Sequence, residues 1–190
     1  MKYLKDSCVF IDRTQDRDSI INIALHCKHR REKIAISQQI IDELHPGRRL
    51  ERSVREKGIE LQESVQGAIN SRLIDLISIE QDRRINDKYK EIRKRFYSWM
   101  TNPIYIRNMI DSGKLTIEEV RSKGFKHKDE GECTLIAIAL SDPQNYIIIT
   151  QDKGRVYKKP HENLFDTYAI PNNISVMNYE EWTDYIEYEG

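Results

Sequence analysis

Little in this chain of 190 residues places it by abundance alone. Cysteine is scarce: Cys8, Cys27 and Cys133 are odd in number and show no CxxC spacing. That count argues against a disulfide framework and against a cysteine zinc site, and it fits a reducing compartment. No apolar run approaches the roughly 18 residues of a membrane span, and "MKYLKDSCVFID" has no signal-type apolar core, so a cytoplasmic protein is expected. Neither sign of charge is in excess. Lys and Arg total 31 and Asp and Glu total 31, so net charge singles out no partner, although a local basic face can still meet nucleic acid. No glycine-rich loop is placed to cradle a phosphate, which argues against an NTPase. Repeats and low-complexity segments are absent as well. The length suits one domain, with or without an insertion.

What the chain does have is an alternation of short apolar runs and helical periods. "CVFI" (8–11) is rich in β-formers and reads as a buried strand ending at Asp12. Ile20, Ile21, Ile23, Ala24 and Cys27 follow at helical spacing, with a basic last turn that suits the helix dipole. "KIAIS" reads as a second strand, and "SQQIIDELHPG" as a short helix capped by Ser37 and stopped at Pro46-Gly47. Residues 48–70 suggest an exposed helix, and "RLIDLISI" an edge-like strand. The stretch 82–100 is a helix with Ile85, Tyr89, Ile92 and Phe96 on one face. Asn102-Pro103 breaks it. Two short helices follow, the second opened by Thr116 with Glu119 three residues on. "ECTLIAIAL" is an apolar helix, "YIIIT" a buried strand, 153–173 a polar loop, "ISVM" a last strand and "NYEEWTDYI" a last helix. This pattern predicts an α/β sandwich with a mostly parallel central sheet flanked by helices.

The acids carry the chemistry. Ligands of open parallel sheets bind outside the carboxyl ends of the strands, where Asp12 and Asp152 are expected. Glu43 lies near the end of the helix after the second strand, and Glu132 in the first turn of the apolar helix. Four carboxylates from distant segments would repel one another, and a hard divalent cation, Mg²⁺ or Mn²⁺, removes the conflict. Phosphodiester hydrolysis is the chemistry such a site supports. Each acid also has a plainer reading. Asp12 and Asp152 are ordinary turn residues, Glu43 is a solvated helix acid with Asp42 as competitor, and Asp129-x-x-Glu132 reads as an N-cap with its capping-box partner.

The order of these segments resembles the PIN-domain nucleases, a family that includes many toxins of toxin–antitoxin pairs. The residues that carry the resemblance are "CVFID", "IAISQQIIDEL", "GECTLIAIALS" and "YIIITQD", and it spans about residues 8–187. The Gly-Glu form of the third motif resembles one toxin-like branch. The resemblance implies one PIN-like domain over 1–190 with a helical insertion around 99–126. Asp12, Glu43, Glu132 and Asp152 would be its metal-binding and catalytic acids, with Asp129 as a fifth acid or a cap and Thr150 as the small hydroxyl residue beside the last acid. It departs from the family after the first acid, where Arg13-Thr14 replaces a small residue followed by Asn or Ser; Thr14 is the stand-in for the small polar residue.

Lys126, Lys128, Lys153, Arg155, Lys158 and Lys159 flank the last two acids, and with Arg13 they could hold a phosphate backbone or form only a solvated surface. Tyr157 and His161 are weaker candidates for stacking a base. His26 and His29 around Cys27 read better as a basic helix end than as a metal site. The leading reading is a metal-dependent endoribonuclease with an RNA substrate, a toxin or defence effector, with an antitoxin, another protein or a second copy as partner. Two alternatives stay open: a catalytically weak scaffold binding RNA or a protein, favoured by Arg13, and a DNA-directed flap-type nuclease.

Overall fold

The structure is a computed structural model that describes residues 1–13, 17–45 and 52–188. Strand β1 is Lys2–Lys5 and runs into helix α1, Ser7–Arg13. Helix α2 (Arg17–His29), strand β2 (Lys33–Ser37), helix α3 (Gln38–Leu44), helix α4 (Arg52–Asn70) and strand β3 (Ile74–Ile77) follow. Helix α5 spans Arg83–Tyr97, and α6 (Pro103–Asp111) and α7 (Ile117–Arg121) fill the stretch before the apolar helix α8, Glu130–Ser141. Strand β4 (Tyr146–Ile149), a β5–β6 hairpin (Arg155–Val156 and Lys159–Asn163), strand β7 (Ser175–Met177) and helix α9 (Tyr179–Tyr188) complete the order. Among the described residues, no helix is long and apolar enough to cross a membrane.

Five strands form one sheet in the order β3-β2-β1-β4-β7, all parallel. This is the expected α/β architecture of a central sheet flanked by helices. Every strand therefore ends on the same edge. Lys5 is level with Ile149, and Ile149 with Met177. The chain leaves β1 toward β2 on one side, while β4 lies on the other. The switch point of the topology is thus between β1 and β4, where open α/β sheets place their ligands.

The first strand differs from expectation. Cys8–Ile11 is not extended but lies in α1, with Val9 and Phe10 fully buried. The strand is "KYLK", with Tyr3, Leu4 and Lys5 fully buried. Val9 and Phe10 fit either element, and what decides is the partner: Tyr3 and Leu4 pair with β2 and β4, and Phe10 folds back to cover Lys5. The strand-end acid is therefore Asp6. Asp12 lies within α1, roughly 9 Å further along at 1.5 Å of rise per residue, and so not at a strand end. Thr14 and Pro46-Gly47 lie outside the described residues.

Residues 153–173 are the second difference, being structured rather than a polar loop. β5 and β6 pair antiparallel, and a π-helical turn, Phe165–Ala169, follows. Val156, Leu164, Phe165, Tyr168 and Ala169 are buried. Gly154 permits this packing: at φ 69° a Cβ there would lie 2.3 Å from the Phe165 ring. Other expectations hold. The Ser37 hydroxyl caps α3 by accepting from Ile40 N–H, Thr116 and Glu119 form a reciprocal capping box on α7, and β3 is a sheet edge.

Candidate active site at the carboxyl edge of the sheet

Asp6 leaves the end of β1 with 3% of its surface exposed. Its Oδ1 accepts the Ser7 backbone N–H at 2.7 Å, and its Oδ2 accepts the Thr150 hydroxyl at 2.6 Å and lies 3.1 Å from the Cys8 thiol. Thr150 is equally buried and also accepts Asp152 N–H at 3.0 Å. One hydroxyl thus joins the acid after β1 to the turn after β4. The carboxylate of Asp152, in that turn, accepts Gly154 N–H at 2.6 Å, so the turn leads directly into the β5–β6 hairpin. Asp152 itself is exposed.

Glu43 reaches this edge from α3. The Ser7 hydroxyl donates to its Oε2 at 2.8 Å and stands 3.4 Å from Asp6 Oδ1, so Ser7 sits between the two acids. The residue is exposed by area, but its carboxyl head is tucked against the start of α8. A Cβ on Gly131 would meet Glu43 Oε2 at 2.9 Å, so this glycine leaves room for the carboxyl head where it lies. Burial of that head raises the Glu43 pKa; hydrogen bonds from Gln39 and Ser7 oppose the rise, and the charges of Asp6 and Glu130 add to it.

Glu132 is the most perturbed acid of the group. It is half-buried in the first turn of α8, and burial pushes its pKa up to about 8, with the charges of Asp6, Asp152 and Asp129 contributing in the same direction. A hydrogen bond from its own backbone N–H opposes the rise. A carboxyl kept out of water and facing other acids is a recognised mark of a functional site. The same observation tests the fit of a divalent cation. The donors are oxygens, and Glu132 lacks the positive charge that would let it ionise. The bonds already made to Asp6 and Asp152 leave lone pairs free. Among the described residues, no group of three or more His, Cys, Asp or Glu side chains stands close enough to hold an ion as placed. The acids feel one another's charge across an open rim, and a cation would have to draw them inward.

Asp129 does different work from that expected. It occupies the N-cap position of α8 but makes no side-chain cap hydrogen bond, and its backbone is left-handed at φ 56°. Its Oδ2 instead accepts the Tyr97 hydroxyl at 2.6 Å and Tyr157 N–H at 2.8 Å. The cap reading is corrected: a left-handed N-cap turns the carboxylate away from the first-turn amides and toward α5 and the hairpin. Tyr157 is likewise engaged, its ring stacked on Trp99 at 6.4 Å and 12°. Of the basic candidates, Lys128, Lys153 and Arg155 are exposed, whereas Lys158 is ion-paired with Glu119 at 2.8 Å. Lys159 pairs with Glu162. The side chain of Arg13 lies outside the description. His26 meets the Ile186 carbonyl and Cys27 is buried, as a structural helix end requires.

Sequence reasoning gave no role to Asp6 or Ser7, and it read Glu119 as a capping-box partner without its contacts to Tyr157 and Lys158. A signal for the first two was present in "YLKDS", a short apolar pair followed by an acid and a small hydroxyl residue, but the flanking lysines masked it.

No protein-family model matches the chain, and no curated protein matches it. Among solved structures it is similar to the crystal structure of VapBC2 from Rickettsia felis bound to a DNA fragment from their promoter. The identity is 18%, the match covers 94% of this chain and 99% of that one, and the TM-score is 0.42.

Proposed function

We propose that the protein is a PIN-like, metal-dependent endoribonuclease whose acids are Asp6, Glu43, Glu132 and Asp152. The observation that carries this reading is Glu132, half-buried, raised to about 8 and facing the charges of Asp6 and Asp152 at the switch point of a parallel sheet. Support also comes from the resemblance once its first acid is moved to Asp6, because the small residue it calls for next is then Ser7. The argument for an inert scaffold rested on Arg13 beside Asp12 and loses its basis with that move. Mg²⁺ or Mn²⁺ would neutralise the acids and supply an acidified water and Lewis acidity toward a phosphodiester. Thr150 fixes Asp6 relative to the Asp152 turn, and Ser7 spaces Asp6 from Glu43. Lys128, Lys153 and Arg155 stand exposed on the flanking segments to meet a phosphate backbone. A toxin role with an antitoxin partner, in the cytoplasm, extends this reading.

The test is cleavage of a mixed RNA pool, with Mn²⁺ or with chelator, by wild type and Glu132→Gln. Gln keeps the shape and removes the charge. The loss should exceed the roughly 100-fold that removal of an outer partner of a metal ligand costs. A single-stranded DNA arm separates the DNA-directed reading. Absence of Mn²⁺-dependent cleavage in the wild type overturns the proposal.

A further inference from the structure

The segment between α5 and α8 is tied to the basic hairpin as well as to α5. Glu119, at the third position of α7, accepts the Tyr157 hydroxyl at 3.0 Å and pairs with Lys158 Nζ at 2.8 Å. These contacts, with Thr116 N–H, hold its carboxyl down to about 2, the Lys158 bond contributing most. Trp99, in the turn that follows α5, stacks on the Tyr157 ring and packs edge-on against Phe125. Tyr157 N–H is bound by Asp129, which also takes the Tyr97 hydroxyl. Arg93 donates to the carbonyls of Lys126 and Lys128, fixing the strip that leads into α8. Lys158 is left-handed at φ 60°, so the hairpin turn is formed by the residue that Glu119 grips. The hairpin's other end begins at the Asp152 turn.

We infer that the segment spanning α6 and α7 is a brace that holds the β5–β6 hairpin beside the acids, with Glu119 and Tyr157 as positioning residues for a polyanionic strand. The part that concerns the strand rests on the nuclease reading; the brace itself does not. Two of the hairpin's cations, Lys158 and Lys159, are spent on Glu119 and Glu162. What the brace places is the outward pair Lys153 and Arg155, at the start of the hairpin and next to Asp152. A phosphate backbone that reaches the acids must pass them, and their placement sets how well it is held.

The experiment uses the full chain with Tyr157→Phe and Glu119→Gln. Phe keeps the ring that stacks on Trp99 and loses only the hydroxyl. Gln can still close the capping box on Thr116 and loses the charge that holds Lys158. Three readouts are taken: hydrogen–deuterium exchange of the amides in 155–163, binding of a fluorescein-labelled mixed-sequence single-stranded RNA without divalent metal, and the kinetics of Mn²⁺-dependent cleavage. Loss of one such hydrogen bond should speed hairpin exchange about fivefold in each variant, with the amides of β4 unchanged. RNA binding should weaken severalfold, and in Mn²⁺-dependent cleavage KM should rise while kcat holds. Glu119→Gln is the sharper arm, because a Lys158 that acts only as a charge would be released and would tighten binding. Tighter binding, or unchanged hairpin exchange in both variants, overturns the proposal. Faster exchange in a wild-type-like fold that binds no RNA supports the brace and overturns RNA as the strand it serves.

Discussion

Glu132 and Asp129 lie three residues apart, and their environments assign them opposite tasks. Glu132 is raised to about 8 from an unfolded value near 4.5. Between those values the folded chain holds a proton that the unfolded chain has lost, so this group's contribution is full below about 4.5 and lost as pH rises through about 8. The metal-free protein should therefore melt at falling temperature from pH 5 to pH 8, and Glu132→Gln should flatten that slope; parallel slopes in the two proteins refute the assignment. Asp129 has a structural task. Its carboxylate serves the buried Tyr97 and the Tyr157 amide, so Asp129→Ala should cost about 2 kcal/mol, more than the roughly 1 kcal/mol of a lost cap. Asp129→Asn keeps an acceptor and tolerates positive φ, so it should cost less. Urea unfolding of the two variants separates a cap from an anchor: equal small losses would restore the cap.

At the scale of elements, β1 is the unusual one. Its last residue is a lysine with no exposed surface, its Nζ 4.0 Å from the Phe10 ring centre and 5.6 Å from that of Trp182. Burial lowers its pKa from 10.5 to about 7, and the nearby Cys27 opposes the shift only in part. Between about 7 and 10.5 the unfolded chain binds a proton that the folded chain does not, so stability rises with pH over that window and the full penalty stands below it. Lys5→Met keeps the length and removes the buried charge. It should stabilise the protein more at pH 6 than near pH 10.5, by about 1–2 kcal/mol, because the buried charge is present only at the lower pH. Calorimetry at the two pH values checks this, and destabilisation at pH 6 would mean that the ammonium is well solvated where it lies. β1 also explains an error of sequence reading. A four-residue run with lysine at both ends does not advertise a buried strand, while "CVFI" next to it does.

For the molecule as a whole, the proposed nuclease function requires that a cation relieve the repulsion which the charges of Asp6, Asp152 and Asp129 exert on Glu132. Mn²⁺ at about 100 times its Kd should raise stability by roughly 2.7 kcal/mol, through binding to the folded chain alone. Asp152→Asn should cut that increment while leaving the metal-free melting temperature equal or higher, since it removes one charge that raises Glu132. Thermal melts with and without Mn²⁺ measure both terms. An equal Mn²⁺ increment in Asp152→Asn and wild type would remove Asp152 from the set.

Local sequence determined those elements whose stabilising contacts are near in the chain. Ser37 capping α3, the Thr116–Glu119 box, the apolar period of α8 and the unbroken isoleucines of β4 are each legible within a few residues. So was the parallel α/β class, because alternation of strands with helices leaves little else. The position of Glu132 in the first turn of a mostly buried helix was legible too. Only the tertiary structure decided between Asp6 and Asp12, because the first strand is chosen by pairing with β2 and β4 and by Trp182 closing over Lys5. It alone decided that Asp129 turns toward Tyr97 and that 153–173 sends Val156, Leu164, Phe165, Tyr168 and Ala169 into the core. Those outcomes depend on side chains tens of residues away, and a hydrogen bond or a buried ring across such separations leaves no period in the sequence that makes it.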